Sequence, residues 1–383
     1  PPEFFEHLDA ASGNDRGRIY RIVSTAGNSR RKTPQLHKAS TADLVALLDH
    51  PNGWHRVTAS RLLYQRQDRS AAAALLELAS AASSAEGRAT ALHVLHGLKA
   101  LPEAAVLAAL NDESADVRIQ ALRLAEQFVS EAPAIRDQLT QMVDDADPRV
   151  RYQLGFSLGA FHGPSAVKAL SQLALNDSND QWMRLAILSS VGQGADDLFS
   201  ILAANREFRA TQPGRVQLLA LAQQIGARGL TGEVSVVLRS LEGLEDQDAA
   251  LRDAVVKALL EKQRDEMRQK ILSAADGKAG MILAGVLKQA TAEALDESVS
   301  LPRRVEAVGS LRLGVLSDVT SVIEELLRPA QPQPLQSAAV DVLAAFDDDG
   351  VVSLLLAHWS GLSPDLRARA AETLLSRPAW VLA

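Results

Sequence analysis

Two histidines are the residues whose type and spacing first point to chemistry. His93 and His96 are three apart on a predicted helix, a spacing that can present two ligands to one metal. No third ligand is evident near them in the sequence, so we interpret the pair as part of a solvated helix face. The chain has no cysteine, which excludes thiolate metal sites, a cysteine nucleophile and disulfides.

Paired carboxylates of the kind used in acid and base catalysis occur at three places: Asp144-Asp145, Glu324-Glu325 and Asp347 to Asp349. Such catalysis needs burial to separate the two pKa values, but these pairs fall at predicted helix ends or in loops that water reaches. No serine lies in a G-x-S-x-G elbow. The sequence therefore indicates no catalytic residue, no cofactor-binding residue and no metal ligand in this chain.

A fixed spacing of residue types, which we call the register, recurs eleven times along the chain. It predicts the helices that carry the residues named above. Each occurrence has an anchor residue, usually arginine, with a small or apolar residue three places later and another seven places later. Most anchors are roughly 30 to 33 residues apart, a period that predicts a solenoid of helical pairs. Lys278 is the weakest member of the series. The anchors are Arg56, Arg88, Arg118, Arg151, Arg184, Arg215, Arg252, Lys278, Arg304, Gln336 and Arg367.

Composition and charge support an all-α fold and exclude some partners. Hydrophobic residues make up 47% of the chain and aromatic residues only 4%, so Leu, Ala and Val must build a core of closely packed helices. The formal net charge is −7, whereas proteins that bind nucleic acid carry an excess of basic residues that contact the phosphates. We therefore expect no nucleic-acid partner. No stretch approaches the roughly 18 uncharged apolar residues of a membrane span, so we expect no membrane insertion by this segment.

The first 39 residues do not follow the register. The run GNDRGRIYRIV at residues 13–23 has turn residues followed by β-branched and aromatic side chains, which suits a short strand. A polar stretch with the character of a linker follows it. Ser40 or Thr41 can then cap the first helix. The sequence predicts an extended segment and linker over residues 1–39 and a helical repeat array over residues 40–383.

Two short segments resemble the HEAT repeat signature, in which a loop aspartate precedes a valine and an arginine. They are Asp116-Val117-Arg118 and Asp147-Pro148-Arg149-Val150-Arg151. The resemblance implies a right-handed superhelix of about eleven helical pairs. It also implies that Asp and Arg side chains form a structural ladder between adjacent units. The arginine anchors assigned to that ladder are Arg56, Arg88, Arg118, Arg151, Arg184, Arg215, Arg252, Arg304 and Arg367.

Three longer segments, at residues 13–23, 39–68 and 359–383, resemble the middle of large dehydrogenase-like proteins of planctomycetes and their relatives. In that family a β-propeller is followed by HEAT repeats and then by a cytochrome c module. The resemblance implies that residues 1–39 hold a remnant of a propeller strand, and that the chain continues past its apolar end. The haem-binding C-x-x-C-H is absent, so no cofactor is assigned to this chain. The implied setting is the periplasm or cell envelope.

The fifth position after each anchor lies off the predicted packed stripe and carries the clearest surface signal. It is mostly basic towards the amino end and acidic towards the carboxyl end, which suits an extended protein or peptide partner of opposite polarity. The flanking domains of the parent chain could also fill this role. The candidate partner-binding face consists of Arg61, His93, Arg123, Phe156, Lys257, Asp341 and Glu372.

The sequence favours a non-catalytic HEAT-repeat scaffold within a larger envelope protein. One alternative is a HEAT-fold enzyme of lyase or glycosylase type, which would need buried titratable groups that converge in the concave groove. Another is a cytosolic assembly factor. Exposed tryptophans would be binding anchors, but we interpret the four as packing between repeats. They are Trp54, Trp182, Trp359 and Trp380.

Overall fold

The computed structural model describes residues 35–260, 277–377 and 380. The strand predicted within residues 13–23 lies outside these ranges. Within them the chain forms 21 α-helices joined by short turns, and these ranges contain no β-strand. The prediction of an all-α fold is confirmed.

The described helices form ten consecutive pairs, which we number as units 1 to 10. In each unit a first helix is followed by a second helix, and each helix packs on its counterpart in the next unit, except that a groove separates α15 (Ala249–Leu260) from α17 (Leu301–Ser310). Units 1 to 4 are α1 (Thr41–Ala46) with α2 (Gly53–Arg66), α3 (Ala72–Ala81) with α4 (Ala85–Gly97), α5 (Glu103–Leu110) with α6 (Ala115–Ala125), and α7 (Pro133–Gln141) with α8 (Pro148–Ser157).

Units 5 to 10 continue the same alternation, with one short extra helix, α12 (Arg206–Ala210), inside unit 6. Units 5 to 7 are α9 (Pro164–Asn176) with α10 (Gln181–Ser190), α11 (Ala195–Ala204) with α13 (Gln212–Arg228), and α14 (Thr231–Glu242) with α15 (Ala249–Leu260). Units 8 to 10 are α16 (Gly277–Leu295) with α17 (Leu301–Ser310), α18 (Leu316–Leu326) with α19 (Gln333–Ala344), and α20 (Gly350–His358) with α21 (Pro364–Leu375).

Side-chain caps fix where several helices begin. Ser40 and Asp43 form the capping box of α1, since the Ser40 hydroxyl accepts from the Asp43 N–H and the Asp43 carboxylate accepts from the Ser40 N–H. This confirms the predicted cap. Asp147 and Asp180 accept from the N–H two residues later, each at 2.8 Å, and so start the second helices of units 4 and 5. The loop aspartates therefore stop one helix and orient the next.

The core lies between the two rows of helices and runs along the array. Positions three and seven after an anchor are buried in most units, as the register predicted. Ala121 and Ala125 of α6 are 0% exposed, and so are Ala339 and Leu343 of α19. The buried side chains form three clusters, one from Leu44 to Leu98, a large one from Leu92 to Leu260 that also includes Val286 and Leu313, and one that begins at Ala290. Each unit therefore buries its apolar stripe only against its neighbours.

Lys278 is not the anchor of a second helix, and that part of the register was wrong. Its helix, α16, pairs with α17 and packs between α14 and α18, both of which are first helices. Met281, which the register placed on the packed stripe, is 66% exposed. A 19-residue apolar helix offers packed stripes in more than one phase, so the spacing of side chains alone did not decide its row.

Candidate functional site

Three anchor arginines each join their own unit to the following unit, and all three do so by the same set of hydrogen bonds. The guanidinium of Arg118 donates from Nε and Nη2 to both carboxylate oxygens of Asp145, each at 2.8 Å. Its Nη1 donates at 2.8 Å to the carbonyl of Asp112, six residues before the arginine. Arg88 makes the same paired bonds to Asp112, and Arg151 makes them to Asp177. Each arginine thus contacts its own unit and the following one.

Burial makes these pairs stronger than ordinary surface ion pairs. The side chains of Arg88 and Asp112 are 8% and 12% exposed. Burial by itself raises the pKa of the Asp112 carboxyl, but the hydrogen bonds from Arg88 and the Ser114 N–H, with the charges of Arg88 and Arg118, hold it below its usual value. The pairs are therefore structural ties in which both charges are satisfied within the protein.

A fourth tie was missed by the sequence analysis because it lies outside the register. Arg209, on the extra helix α12, donates from Nε to Asp248 at 2.9 Å and from Nη1 to the Ala203 carbonyl at 3.1 Å. Both charged side chains are 7% exposed. Arg215, the anchor of that unit, instead donates to the Arg209 carbonyl at 3.0 Å. The inserted helix has moved the tie six residues towards the amino terminus.

The other anchor arginines bind mainly backbone carbonyls. Arg56 donates to the His50 carbonyl at 2.8 Å, and Arg184 to the Ser178 carbonyl at 2.9 Å. Neither forms an ion pair with any described carboxylate. Arg304 donates to the Ala294 carbonyl and, at 3.4 Å, to the Gln331 side chain. Arg367 donates to two carbonyls of its own unit, and Arg252 is half-buried on α15.

The residues predicted to bind a partner lie on one row of second helices. Of the seven, Lys257 is half-buried, Glu372 lies on the last second helix, and most of the others are exposed. Several contact the neighbouring unit: His93 lies 3.0 Å from the Gln120 side chain, Arg123 donates to Gln153 at 2.9 Å, and Asp341 lies 3.4 Å from Arg369. The structure therefore aligns the predicted set along the array but does not gather it at one point.

The same row carries every exposed aromatic side chain of the described residues. We call the positions two before an anchor and one, five and eight after it the second-helix face, because these spacings share one side of a helix. Trp54 and Trp182 are each 59% exposed there, Tyr64 is 57% exposed and Phe156 is 40% exposed. This face was visible in the sequence only at its fifth position.

The tryptophan interpretation holds for two of the four residues. Trp359 packs beside the carboxyl-terminal core, and Trp380 is 4% exposed beneath the Arg377 guanidinium. Trp54 and Trp182 do not pack between repeats, and for them the interpretation was wrong. Both lie two residues before an anchor, in the first turn of a second helix, where the side chain points away from the packed stripe.

Two grooves open between second helices. The amino-terminal groove, of about 1030 Å³, lies between α2, α4 and α6 and is lined by Arg56, Val57, Arg61, Tyr64 and His93 among others. The other groove, of about 660 Å³, lies between α15, α16 and α17. The first is the more apolar, and Trp54 lies one helical turn before Val57, which lines it.

The groove between α15 and α17 holds the carboxylates that an enzyme site would require. Burial raises the pKa of Asp253, although Lys257 and Arg252 oppose that rise. The pKa of Glu293 is lowered by hydrogen bonds from Arg303, at 3.3 Å, and from Gln289. The two pKa values are therefore shifted in opposite directions, as an acid and base pair requires. Both carboxyls are only half-buried, however, and Glu293 is held in an ion pair with Arg303.

Two further kinds of site are absent from the described residues. No group of three or more His, Asp or Glu side chains there could hold a metal ion. None of the described helices is both long enough and apolar enough to cross a membrane.

Stacked helical pairs with arginine and aspartate ties define a HEAT-type α-solenoid. Residues 103–192 match the family model for HEAT repeats. This segment contains units 3, 4 and 5, where the Arg118 and Arg151 ties lie. The fold is therefore an all-α HEAT solenoid. No curated protein matches the chain.

The solved structures to which the chain is similar have low sequence identity to it. Kap121p is 12% identical, with a TM-score of 0.47, and the match covers 87% of this chain and 45% of Kap121p. Kap121p bound to Pho4p gives a TM-score of 0.48 at 12% identity, with the same coverage of 87% and 45%. An engineered protein is 16% identical, with a TM-score of 0.29 and 87% of each chain covered. The chain spans less than half the length of Kap121p.

Proposed function

We propose that this chain is a non-catalytic HEAT-repeat scaffold whose second-helix face binds a protein or peptide partner. The observation that carries the proposal is the location of the exposed aromatic residues. Trp54, Tyr64, Phe156 and Trp182 all lie on this one face. Large aromatic side chains at a surface supply most of the binding energy at protein interfaces, because they bury a large area with little loss of entropy.

The charges along the same face support an extended partner. Arg61 and Arg123 lie on it in units 1 and 3, whereas Asp341 and Glu372 lie on it in units 9 and 10. A partner of opposite polarity would be acidic where it meets the amino-terminal units and basic where it meets the last ones. This change from basic to acidic residues along the face would fix the direction in which the partner chain runs.

Site-specific photocrosslinking tests this proposal. A benzophenone amino acid is placed at position 156, on the second-helix face, and separately at position 201, where Ile201 is also exposed (41%) but belongs to a first helix. In the native host we expect a discrete crosslinked product from position 156 and none from position 201. Equal products from both positions, or none from position 156, would contradict a dedicated binding face.

We also propose that the scaffold is one segment of a larger dehydrogenase-like protein of the cell envelope. The support is the sequence similarity of residues 39–68 and 359–383 to proteins in which HEAT repeats join a propeller to a cytochrome c module. In that arrangement the second-helix face would contact the flanking modules or a partner that they share. The haem chemistry would belong to those modules.

Sequencing the coding region on both sides of this segment tests the second proposal. We expect a propeller upstream and a C-x-x-C-H motif downstream. Stop codons directly at both ends would rule out the larger protein. The crosslinking result would stand in either case, because it depends only on the face.

A further inference from the structure

The amino-terminal groove contains an anchor arginine whose usual aspartate is missing. Asp112 and Asp145, which pair with the arginines of units 2 and 3, each lie six residues before the next anchor. Ala82 occupies that position before Arg88. Arg56 therefore bonds only to the carbonyls of His50 and Pro51, and its guanidinium lines the groove.

A second guanidinium faces the same groove without a carboxylate partner. Arg61 is exposed and forms no ion pair with any described residue. Of the two carboxylates that line the groove, Asp116 is paired with Arg149 at 2.9 Å. Glu86 alone is left to oppose Arg56 and Arg61. The groove thus has an excess of unpaired positive charge.

Apolar side chains lie directly beside these cations. Val57 is 70% exposed and Tyr64 is 57% exposed, and both line the groove. Trp54, one helical turn before Val57, is 59% exposed. An apolar surface next to unpaired guanidinium groups suits an apolar side chain flanked by carboxylates, because arginine binds carboxylates through two parallel hydrogen bonds.

We propose that the amino-terminal groove binds an acidic segment of a protein partner. An apolar side chain of that segment packs on Val57 and Tyr64, and its carboxylates pair with Arg56 and Arg61. The inference rests on the proposed scaffold function and specifies which partner chemistry the first units recognise.

Peptide binding to the full chain tests the groove. The probe is a fluorescein-labelled peptide of glutamate and serine with one central leucine, and the matched peptide has lysine in place of glutamate. Fluorescence anisotropy should show binding of the acidic peptide only. Arg61→Glu should weaken that binding on the order of tenfold or more, because a like charge replaces a pairing group, and Arg61→Lys should restore part of it.

Arg69→Glu is the matched control, since Arg69 is also exposed but does not line the groove. It makes the same change in net charge and should leave the affinity within about twofold, because remote surface charges are screened by salt. Trp54→Ala should weaken binding with little effect on thermal unfolding.

Several outcomes would overturn the inference. They are no binding of the acidic peptide, equal binding of the lysine peptide, and equal weakening by Arg69→Glu and Arg61→Glu. Tighter binding of a single-stranded oligonucleotide of the same length would assign the cations to nucleic acid instead. If crosslinking at position 156 succeeds while the acidic peptide fails, the scaffold function stands and only this groove assignment falls.

Discussion

The anchor side chains of units 2 to 7 and those of units 8 to 10 make different contacts. From unit 2 to unit 5, and again from unit 6 to unit 7, a buried arginine spans to an aspartate of the next unit. In units 8 to 10 the equivalent residues bind neutral groups. Gln336 donates to the carbonyls of Leu327 and Arg328, and Arg367 donates to those of Trp359 and Ser360.

The difference shows that one repeat geometry can be held by two kinds of contact. In both regions the side chain at the anchor satisfies carbonyl groups at the end of a first helix, which would otherwise lack partners. Only units 2 to 7 add buried charge pairs between units, at the joints from unit 2 to unit 5 and from unit 6 to unit 7. Removing one member of such a pair leaves an uncompensated charge, whereas removing a side chain that binds only carbonyls leaves no unpaired charge behind.

The largest expected effect separates the two regions directly. Arg209→Ala leaves Asp248, whose side chain is 7% exposed, without its partner, and should cost about 3 to 5 kcal/mol of unfolding free energy. Arg367→Ala should cost only about 1 kcal/mol, because the lost bonds are to carbonyls. Urea unfolding measures both costs, combined with hydrogen exchange of α13 to α15 for the first variant and of α20 and α21 for the second. Equal costs would mean that the charge pair adds nothing to the neutral contacts.

A smaller effect should depend on pH. The folded-state pKa of Asp112 is lowered, so its contribution to stability is present above the unfolded-state pKa and is lost as the pH falls through the folded value. Asp112→Asn should therefore destabilise the chain by about 1 to 3 kcal/mol at neutral pH. The difference from wild type should shrink in acid. Urea midpoints across a pH series check this, and a constant difference would show that shape, not charge, matters.

Asp253 should show the opposite sign. Burial raises its folded-state pKa, so the ionised form weakens the fold, and wild-type stability falls as the pH rises from the unfolded to the folded value. Asp253→Asn should raise the unfolding free energy by about 0.5 kcal/mol at neutral pH and change little in acid. Thermal unfolding at two pH values suffices. A loss of stability at neutral pH would mean that the carboxylate is held by its neighbouring cations.

The smallest effect tests whether burial, not position in the array, decides the strength of an ion pair. Arg149–Asp116 in the amino-terminal region and Arg369–Asp341 in the carboxyl-terminal region are both about half exposed or more. Double-mutant cycles should give a coupling of about 0 to 0.5 kcal/mol for each, which added salt removes. A strong coupling in the amino-terminal pair alone would show that the region itself favours charge.

The sequence was sufficient for the solenoid and for three of the nine assigned ladder arginines, because both follow from local spacing. The anchor arginine and the aspartate of the next unit both lie near helix ends. The structure pairs Arg118 with Asp145 in this way. Arg209 could not be found in this way. The insertion of α12 changed the spacing, so an arginine outside the register took the tie.

The site was harder to predict than the fold because a groove depends on how two units face each other. Helical spacing places Trp54 on the same side as Arg61, but only the structure shows that the side chain of Trp54 stays exposed. The absence of an aspartate at Ala82 was visible in the sequence. Its meaning required the distances that define the other ties.

The ties have a mechanical consequence. Helical pairs joined in series all carry the same tension when the two ends are pulled apart, so the weakest joint stretches first. Joints closed by a buried, bidentate arginine and aspartate resist separation over a short distance, as between α6 and the loop that holds Asp145. Joints that lack such a buried pair, among them the joints of unit 1 and of units 8 to 10, are more compliant. Under load the array should therefore lengthen at those joints first while units 2 to 5 keep their shape.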